Sequence, residues 1–403
     1  MSANDKLRKQ RAKLILSKEN SICKINDRIY TVRSQSGIGS YKLEWKGYHW
    51  VCNCPDFIKN GHIRPCKHVL ALKLHLNIGY LKTDEEEPKI IPVTYSQNWS
   101  NYNLSQRQEF ELFDQLLYDL VQSIEEPSQH MGRPRLKLQD QVFCCILKIY
   151  GQLSSRRSQG LFHQALERQQ ISHEPHYNAM SKTLLNPETT NILRKLIRLS
   201  SQPFAGIETD FAIDSSGFRC SSFGSYCSQK HRANMKHNWL KVHICTGVKT
   251  NIITEVVITD EHVHDSPQFE QLITNTAERF NVNDVVADLG YSSKKNLEIV
   301  KKIGGNAFIP FKKNTAGVSR GSMIWTRAYH YFQLHREEFM DHYHKRSNVE
   351  STFAAIKRKF GETIKSKNRV AQENEMLCKI VAYNITVLIH AMHELGITPN
   401  FCA

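Results

Sequence analysis

Tyr343-His344-Lys345-Arg346-Ser347-Asn348-Val349-Glu350-Ser351-Thr352-Phe353-Ala354-Ala355-Ile356-Lys357 is the stretch around which the rest of this chain is organised. It holds no helix breaker, and Val349, Phe353 and Ile356 recur at helical spacing, so one helix is predicted over 339–360. At about 100° per residue, Arg346 lies about −40°, Lys357 about −20° and Tyr343 about +20° round that helix from Glu350. A phenol, two cations and a carboxylate therefore share one narrow stripe. Arg346 and Glu350 alone would read as an ordinary i, i+4 surface ion pair. That reading leaves Tyr343 and Lys357 on the same line unexplained. A carboxylate flanked by cations suggests a metal-bound acid beside a phosphate backbone, which requires partner carboxylates elsewhere.

The 403 residues are enough for two or three domains. Against 39 Asp and Glu stand 54 Lys and Arg, a net charge of +15 that favours nucleic acid or an anionic membrane surface as partner. No apolar run of bilayer-spanning length is evident. The basic residues from Lys6 to Lys18 lack the apolar region and cleavage site of a secretory signal. A soluble, cytoplasmic protein is expected, with no membrane partner. Eleven cysteines, an odd number spread over a long chain, do not form a disulfide framework.

Three of those cysteines cluster. Residues 28–50 alternate apolar and polar around a Ser-Gly-Ile-Gly-Ser turn, which predicts strands and hairpins. Cys52 and Cys54, then Cys66 and His68, follow, leading into a predicted helix Val69–Leu76. Two close pairs of soft ligands separated by a loop suit tetrahedral Zn²⁺, with His62 a rival outside the paired spacing. The C-x-C…C-x-H pattern is similar to the SWIM-type zinc finger. Four protein ligands leave no open position, so this is a binding module of about residues 1–82, with Lys59, Arg64, Lys67 and Lys73 for contacts to DNA or protein.

Residues 83–103, with Asp84 to Glu87 and Pro88, read as an acidic, polar linker. Over 104–205 the period turns helical: Phe110, Phe113, Leu116, Leu117, Leu120 and Val121, then helices over 140–150, 160–168 and 189–199. This region is a candidate DNA-end-binding unit. Met131 to Arg135 contains Gly-Arg-Pro, either a minor-groove contact or an Arg-rich turn that starts a helix.

From residue 206 strands return. Phe211–Ile213 is a short apolar strand ending at Asp214, and Trp239–Thr246 and Asn251–Thr259 are two more. A helix over 266–280 has Asp265 as candidate N-cap, and a buried strand Asp284–Ala287 ends at Asp288. A helix over 293–303, a strand over 307–310, an insertion at about 311–338 and the opening helix complete a βββαβαβα order. An apolar helix over Met376–Leu395 is expected in the core.

That order, with Ile213-Asp214-Ser215-Ser216-Gly217, Ala287-Asp288-Leu289-Gly290-Tyr291 and Tyr343-x2-Arg346-x3-Glu350-x6-Lys357, resembles the RNase H-like catalytic core of DDE transposases from prokaryotic insertion sequences with a Tyr-Arg-Glu-Lys signature. The likeness runs from about residue 130 to the C-terminus. It implies an α/β chain in which a small ββα-like zinc module and a helical DNA-binding region precede the core at 206–403. The three acids lie 74 and 62 residues apart, and the second interval is too short for the large β insertion of some relatives. Each acid has a bland reading as a turn former, and Asp210 and Asp284 are rivals of Asp214 and Asp288. His264 and Asp265 read as orienting a turn, and His342 and His344 point off the stripe.

The resemblance implies that Asp214, Asp288 and Glu350 hold two Mg²⁺ or Mn²⁺ ions, with Asp214 bridging. Arg346 and Lys357 would then clamp phosphates, and Tyr343 would touch DNA or merely pack. All-oxygen ligands favour those cations over zinc. It further implies cleavage at the ends of an element, strand transfer into target DNA, and a homodimer at work. A non-catalytic DNA-binding regulator, or a nuclease without strand transfer, are the alternatives.

Overall fold

The computed structural model describes residues 3–401 except 19–20, 27, 36–38, 47–49, 61–64, 77–97, 129–131, 133, 221–238, 313–314 and 316–321. His62, Arg64, the acidic run Asp84 to Glu87, Met131 and Arg133 lie outside the described residues. The chain forms two compact units, Met1–Tyr95 and Ser96–Ala403.

In the first unit, α1 (Ala3–Leu16) precedes an antiparallel sheet of β1 (Ile22–Asn26), β2 (Ile29–Arg33), β3 (Ser40–Trp45) and β4 (Trp50–Cys52), in that spatial order. Two helices follow, α2 (Pro55–Asn60) and α3 (Lys67–His75). Alternation along β2 sends Tyr30 and Val32 inward to meet Leu43, Trp50, Val69 and Leu72. The basic N-terminal stretch proves to be α1, which packs Ala12 and Ile15 into the same core. It is held to α2 by an Arg8–Asp56 ion pair of 2.7 Å. Its helix went unread because its apolar residues bunch at Ala12 and Leu14 to Leu16, so the period is faint.

In the second unit a five-stranded sheet has the order β7-β6-β5-β8-β9, built from β5 (Asp210–Arg219), β6 (Trp239–Gly247), β7 (Ile253–Asp260), β8 (Asp284–Ala287) and β9 (Asn306–Phe308). β5, β6 and β7 form an antiparallel meander, and β8 and β9 add in parallel. Two helices, α9 (Phe269–Ala277) and α10 (Lys294–Lys302), make the crossovers that parallel strands need. This is the RNase H-like core with its expected element order.

Around the site, two boundaries and one cap differ from the sequence reading. β5 does not stop at Asp214 but runs five residues further, paired with β6 as far as Arg219↔Trp239. Ser215-Ser216-Gly217 looked like a turn, yet ladder bonds override that local preference. Gly217 serves the packing instead, since a Cβ there would sit 3.1 Å from the Trp239 ring. The single helix expected over 339–360 is broken into α12 (Arg336–Tyr343), a 3-10 turn (His344–Arg346) and α13 (Ser347–Phe360). Asp265 makes no capping bond; its carboxylate takes Lys241 Nζ at 2.7 Å and Ser215 Oγ at 2.9 Å, both from the meander.

The helical region comprises α4 (Trp99–Val121), α5 (Leu138–Tyr150), α6 (Gln159–Glu167), α7 (Tyr177–Leu185) and α8 (Pro187–Ser201). α4 starts at its Asn98 cap, so the end of the expected linker is helical. Phe110 lies off the buried stripe of α4 and is 71% exposed. A further helix, α11 (Met323–Leu334), occupies the insertion. The chain closes with α14 (Arg369–Leu395), which α4, α5, α7 and α8 all contact. By length and composition α14 is apolar enough to cross a membrane, contrary to the run-length reading, but 83% of its apolar window is buried within the protein. It is a core helix.

Asn384 fastens α14 to the sheet. Its Oδ1 accepts from Ile253 N–H (3.1 Å), and its Nδ2 donates to Ile253 C=O (2.8 Å) and Ser200 Oγ (2.9 Å). Asn384→Leu leaves those buried groups unpaired and is expected to cost about 2–3 kcal/mol. Urea denaturation of the full chain measures it, and a change under about 0.5 kcal/mol, the scale of an ordinary surface substitution, contradicts the role.

Candidate active site

The β5/β8 ladder brings two acids together. Its rungs run from Asp210↔Asp284 to Ile213↔Ala287, so Asp214 and Asp288 are the next residues on neighbouring parallel strands, about 4.8 Å apart in backbone spacing. Asp288 is exposed and accepts from Leu289 N–H at 2.7 Å, which starts a 3-10 turn. Asp214 is sunk into the face, its side chain 19% exposed, and accepts from Ser215 N–H at 2.8 Å.

The junction of α12 and α13, with α13 itself, lies along the same face of β5. Lys345 reaches Asp210 at 2.7 Å, Arg346 reaches Asp214 at 3.0 Å, and Lys357 Nζ donates to Ser216 Oγ at 2.8 Å. Alternate β5 residues share a face, so this helical segment reads every second or fourth position of the strand. Glu350, in the first turn of α13, is 56% exposed and takes the other arm of the Arg346 fork at 2.6 Å. One guanidinium therefore links Asp214 to Glu350. Tyr343 is half-buried, its ring 6.2 Å from Phe339 and 5.8 Å from the Arg346 guanidinium. Lys357 also lies over Phe218 at 5.2 Å.

Burial pushes the Asp214 carboxyl above the usual range. Ser215 N–H and Arg346 oppose that shift, while the charges of Asp288 and Glu350 add to it. Asp214 thus senses both other acids, and positive charge beside it is favoured.

The rivals sit elsewhere. Asp210 and Asp284 are ion-paired with Lys345, and Asp284 also with His342 at 2.6 Å. His264 is exposed. Lys345 and Ser216 carried no signal of their own in the sequence; a period-2 reading of β5 from Asp210 through Asp214 to Ser216 was the available clue.

In the first unit Cys52, Cys54, Cys66 and His68 are all buried, with ligand atoms within 4.8 Å of one another. Among the described residues they are the one such group. Cys52 Sγ and Cys66 Sγ each lie 3.9 Å from His68 Nδ1. A tetrahedral zinc with bonds of about 2.0–2.3 Å spaces N and S ligands roughly 3.6 Å apart. Cys66 Sγ is pulled down to about 4 by a hydrogen bond from Cys52, whose own thiol is pushed up. β4 ends at Cys52 and α3 begins after Cys66, so the sheet and the helix together set the four donors.

Residues 206–385 match the family model of the transposase DDE domain, and residues 40–77 that of the SWIM zinc finger. The chain carries a DDE transposase domain and a SWIM zinc finger. The first match encloses Asp214, Asp288 and Glu350, and the second all four Cys and His donors. The finger's S₃N set fits zinc. The transposase domain implies a divalent cation and DNA, and an all-oxygen donor set in which Asp288 and Glu350 push Asp214 up fits such a cation.

Proposed function

We propose that this chain is an active DDE transposase that cuts DNA at the ends of its element and joins the freed strands to a target. The reading is supported chiefly by one observation: Asp214 and Asp288 follow the last rung of a parallel ladder while Arg346 ties Glu350 to Asp214. Asp214, Asp288 and Glu350 would hold two Mg²⁺ or Mn²⁺ ions. Such ions supply an activated attacking oxygen and charge for the leaving oxygen of an in-line displacement.

The side chains do the rest. Arg346 turns its fork from carboxylate to the incoming phosphate, which it suits equally well. Lys357 holds a second phosphate along β5, and Tyr343 packs beside them. In the first reaction water attacks the phosphate and forms a new P–O bond, leaving a 5′-phosphate on the flanking strand, while the P–O3′ bond breaks and its oxygen takes up a proton as the 3′-hydroxyl of the element end. In the second that hydroxyl attacks a target phosphate, forms a new P–O3′ bond and releases a target 3′-hydroxyl. The helices of 104–205 would bind the ends, and two copies would hold two ends in the prokaryotic cytoplasm.

The test supplies end DNA already carrying a free 3′-hydroxyl, a target plasmid and Mg²⁺ or Mn²⁺. Joined product is expected. Cleavage of uncut ends without joining identifies a nuclease, and end binding with neither reaction identifies a regulator.

A further inference from the structure

The β5/β8 ladder carries a second acid pair, Asp210 and Asp284, on its first rung, four residues before Asp214 and Asp288. Their side chains are 19% and 11% exposed. Two such carboxylates on adjacent strands repel each other unless a cation joins them. Lys345 Nζ does so, 2.7 Å from Asp210 and 3.3 Å from Asp284. His342 Nδ1 adds a 2.6 Å contact to the same Asp284 oxygen, and its ring stacks on Phe308 of β9 at 4.2 Å. Burial works against the Lys345 ammonium, but hydrogen bonds and charge from Asp210 and Asp284 outweigh it and hold its pKa above the ordinary lysine value.

These contacts coincide with the break between α12 and α13. His342 is in the last turn of α12, and Lys345 is in the 3-10 turn itself. Arg346 is the next residue, and Glu350 lies one helical turn beyond. A joint between two helices can swivel, and a shift of about 1 Å at a reacting group costs roughly 10²-fold in rate. We infer that Lys345, seated between Asp210 and Asp284 with His342 beside it, is a positioning residue that fixes the α12–α13 joint and so sets Arg346 and Glu350 over Asp214 and Asp288. Its charge also engages the lower acid pair, which leaves the upper pair, once Arg346 turns from Asp214 to phosphate, as the place for a divalent cation. This inference rests on the proposed triad.

The test uses the full chain, labelled end DNA, and direct Mn²⁺ binding followed by electron paramagnetic resonance. Lys345→Ala is expected to lower the nicking rate constant roughly 10²-fold. It is expected to weaken Mn²⁺ binding at the site by about 10-fold or more, the usual effect of removing support behind metal ligands. End-DNA affinity and its salt dependence stay as in the parent. Lys345→Arg, able to span two carboxylates, restores most of both losses. Because Lys345→Ala leaves the largely buried Asp210 without its cation and Asp284 with His342 alone, Asp210→Asn/Lys345→Met is measured alongside and should show the same Mn²⁺ and rate losses in a folded chain. Parental Mn²⁺ binding and rate in that double variant overturn the inference. So does a weaker end-DNA affinity with a salt slope smaller by about one, the mark of a phosphate contact. Nicking by Glu350→Gln removes the triad itself; an inactive Glu350→Gln beside a fully active double variant removes only the positioning role.

Discussion

Glu350→Gln is expected to abolish metal-dependent nicking of end DNA while leaving the DNA bound. Glutamine keeps the length and shape of the side chain and can still accept from Arg346, so the α13 helix should be undisturbed. The Arg346–Glu350 pair is an i, i+4 contact to a side chain more than half exposed, and such pairs contribute only about 0.3–0.5 kcal/mol. Thermal stability should therefore stay close to the parent. What is lost is one anionic oxygen of the cluster, and with it a metal ligand. Groups whose interactions are realised only in the transition state are worth about 10²–10³ in rate, and parts of one catalytic unit fail together. A loss of about 10³-fold or more is expected, read from gel-resolved cleavage over a range of Mn²⁺ concentrations. Nicking at parental rates, or an equal loss of end binding, contradicts the role assigned to Glu350.

Removal of zinc should unfold the first unit alone. Its core is a handful of side chains on one small sheet and two helices, too little apolar burial to hold a module of this size by itself. Structural zinc contributes on the order of 10–16 kcal/mol to such modules at neutral pH. A strong chelator should therefore abolish the strand and helix signal of Met1–Tyr95 in circular dichroism and leave the cooperative transition of the larger unit in place. Cys54→Ser should lower bound zinc below one per chain and reproduce the effect. Unchanged dichroism after complete metal removal contradicts a structural role.

Much of the site could be read from residues close together in sequence. Cys52, Cys54, Cys66 and His68 announce themselves because metal spacing is local: two pairs, each brought together by its own turn or helix start. Asp214, Asp288 and Glu350 were visible as candidates because β-branched runs and a helical stripe lead up to them. α1 escaped because its apolar period is weak, α7 because it is only nine residues long, and α14 passed as shorter than it is because Arg369 to Glu375 is mostly polar in sequence yet lies in the same helix.

Other features depend on register between distant segments. The continuation of β5 through Ser215-Ser216-Gly217 depends on β6, whose ladder bonds outweigh the turn preference of those residues. That Asp214 neighbours Asp288 follows from the parallel register of β5 with β8, which no local pattern encodes. Lys345 looked like one more cation on a basic helix, and its partners lie 135 and 61 residues away. By itself, then, the sequence determined the zinc donors, the order of strands and helices, and the acids and cations proposed for the site other than Lys345, since those are carried by spacing and period. Only the tertiary structure decided which acid each cation meets, since strand pairing and the helix joint bring together charges that the chain holds far apart.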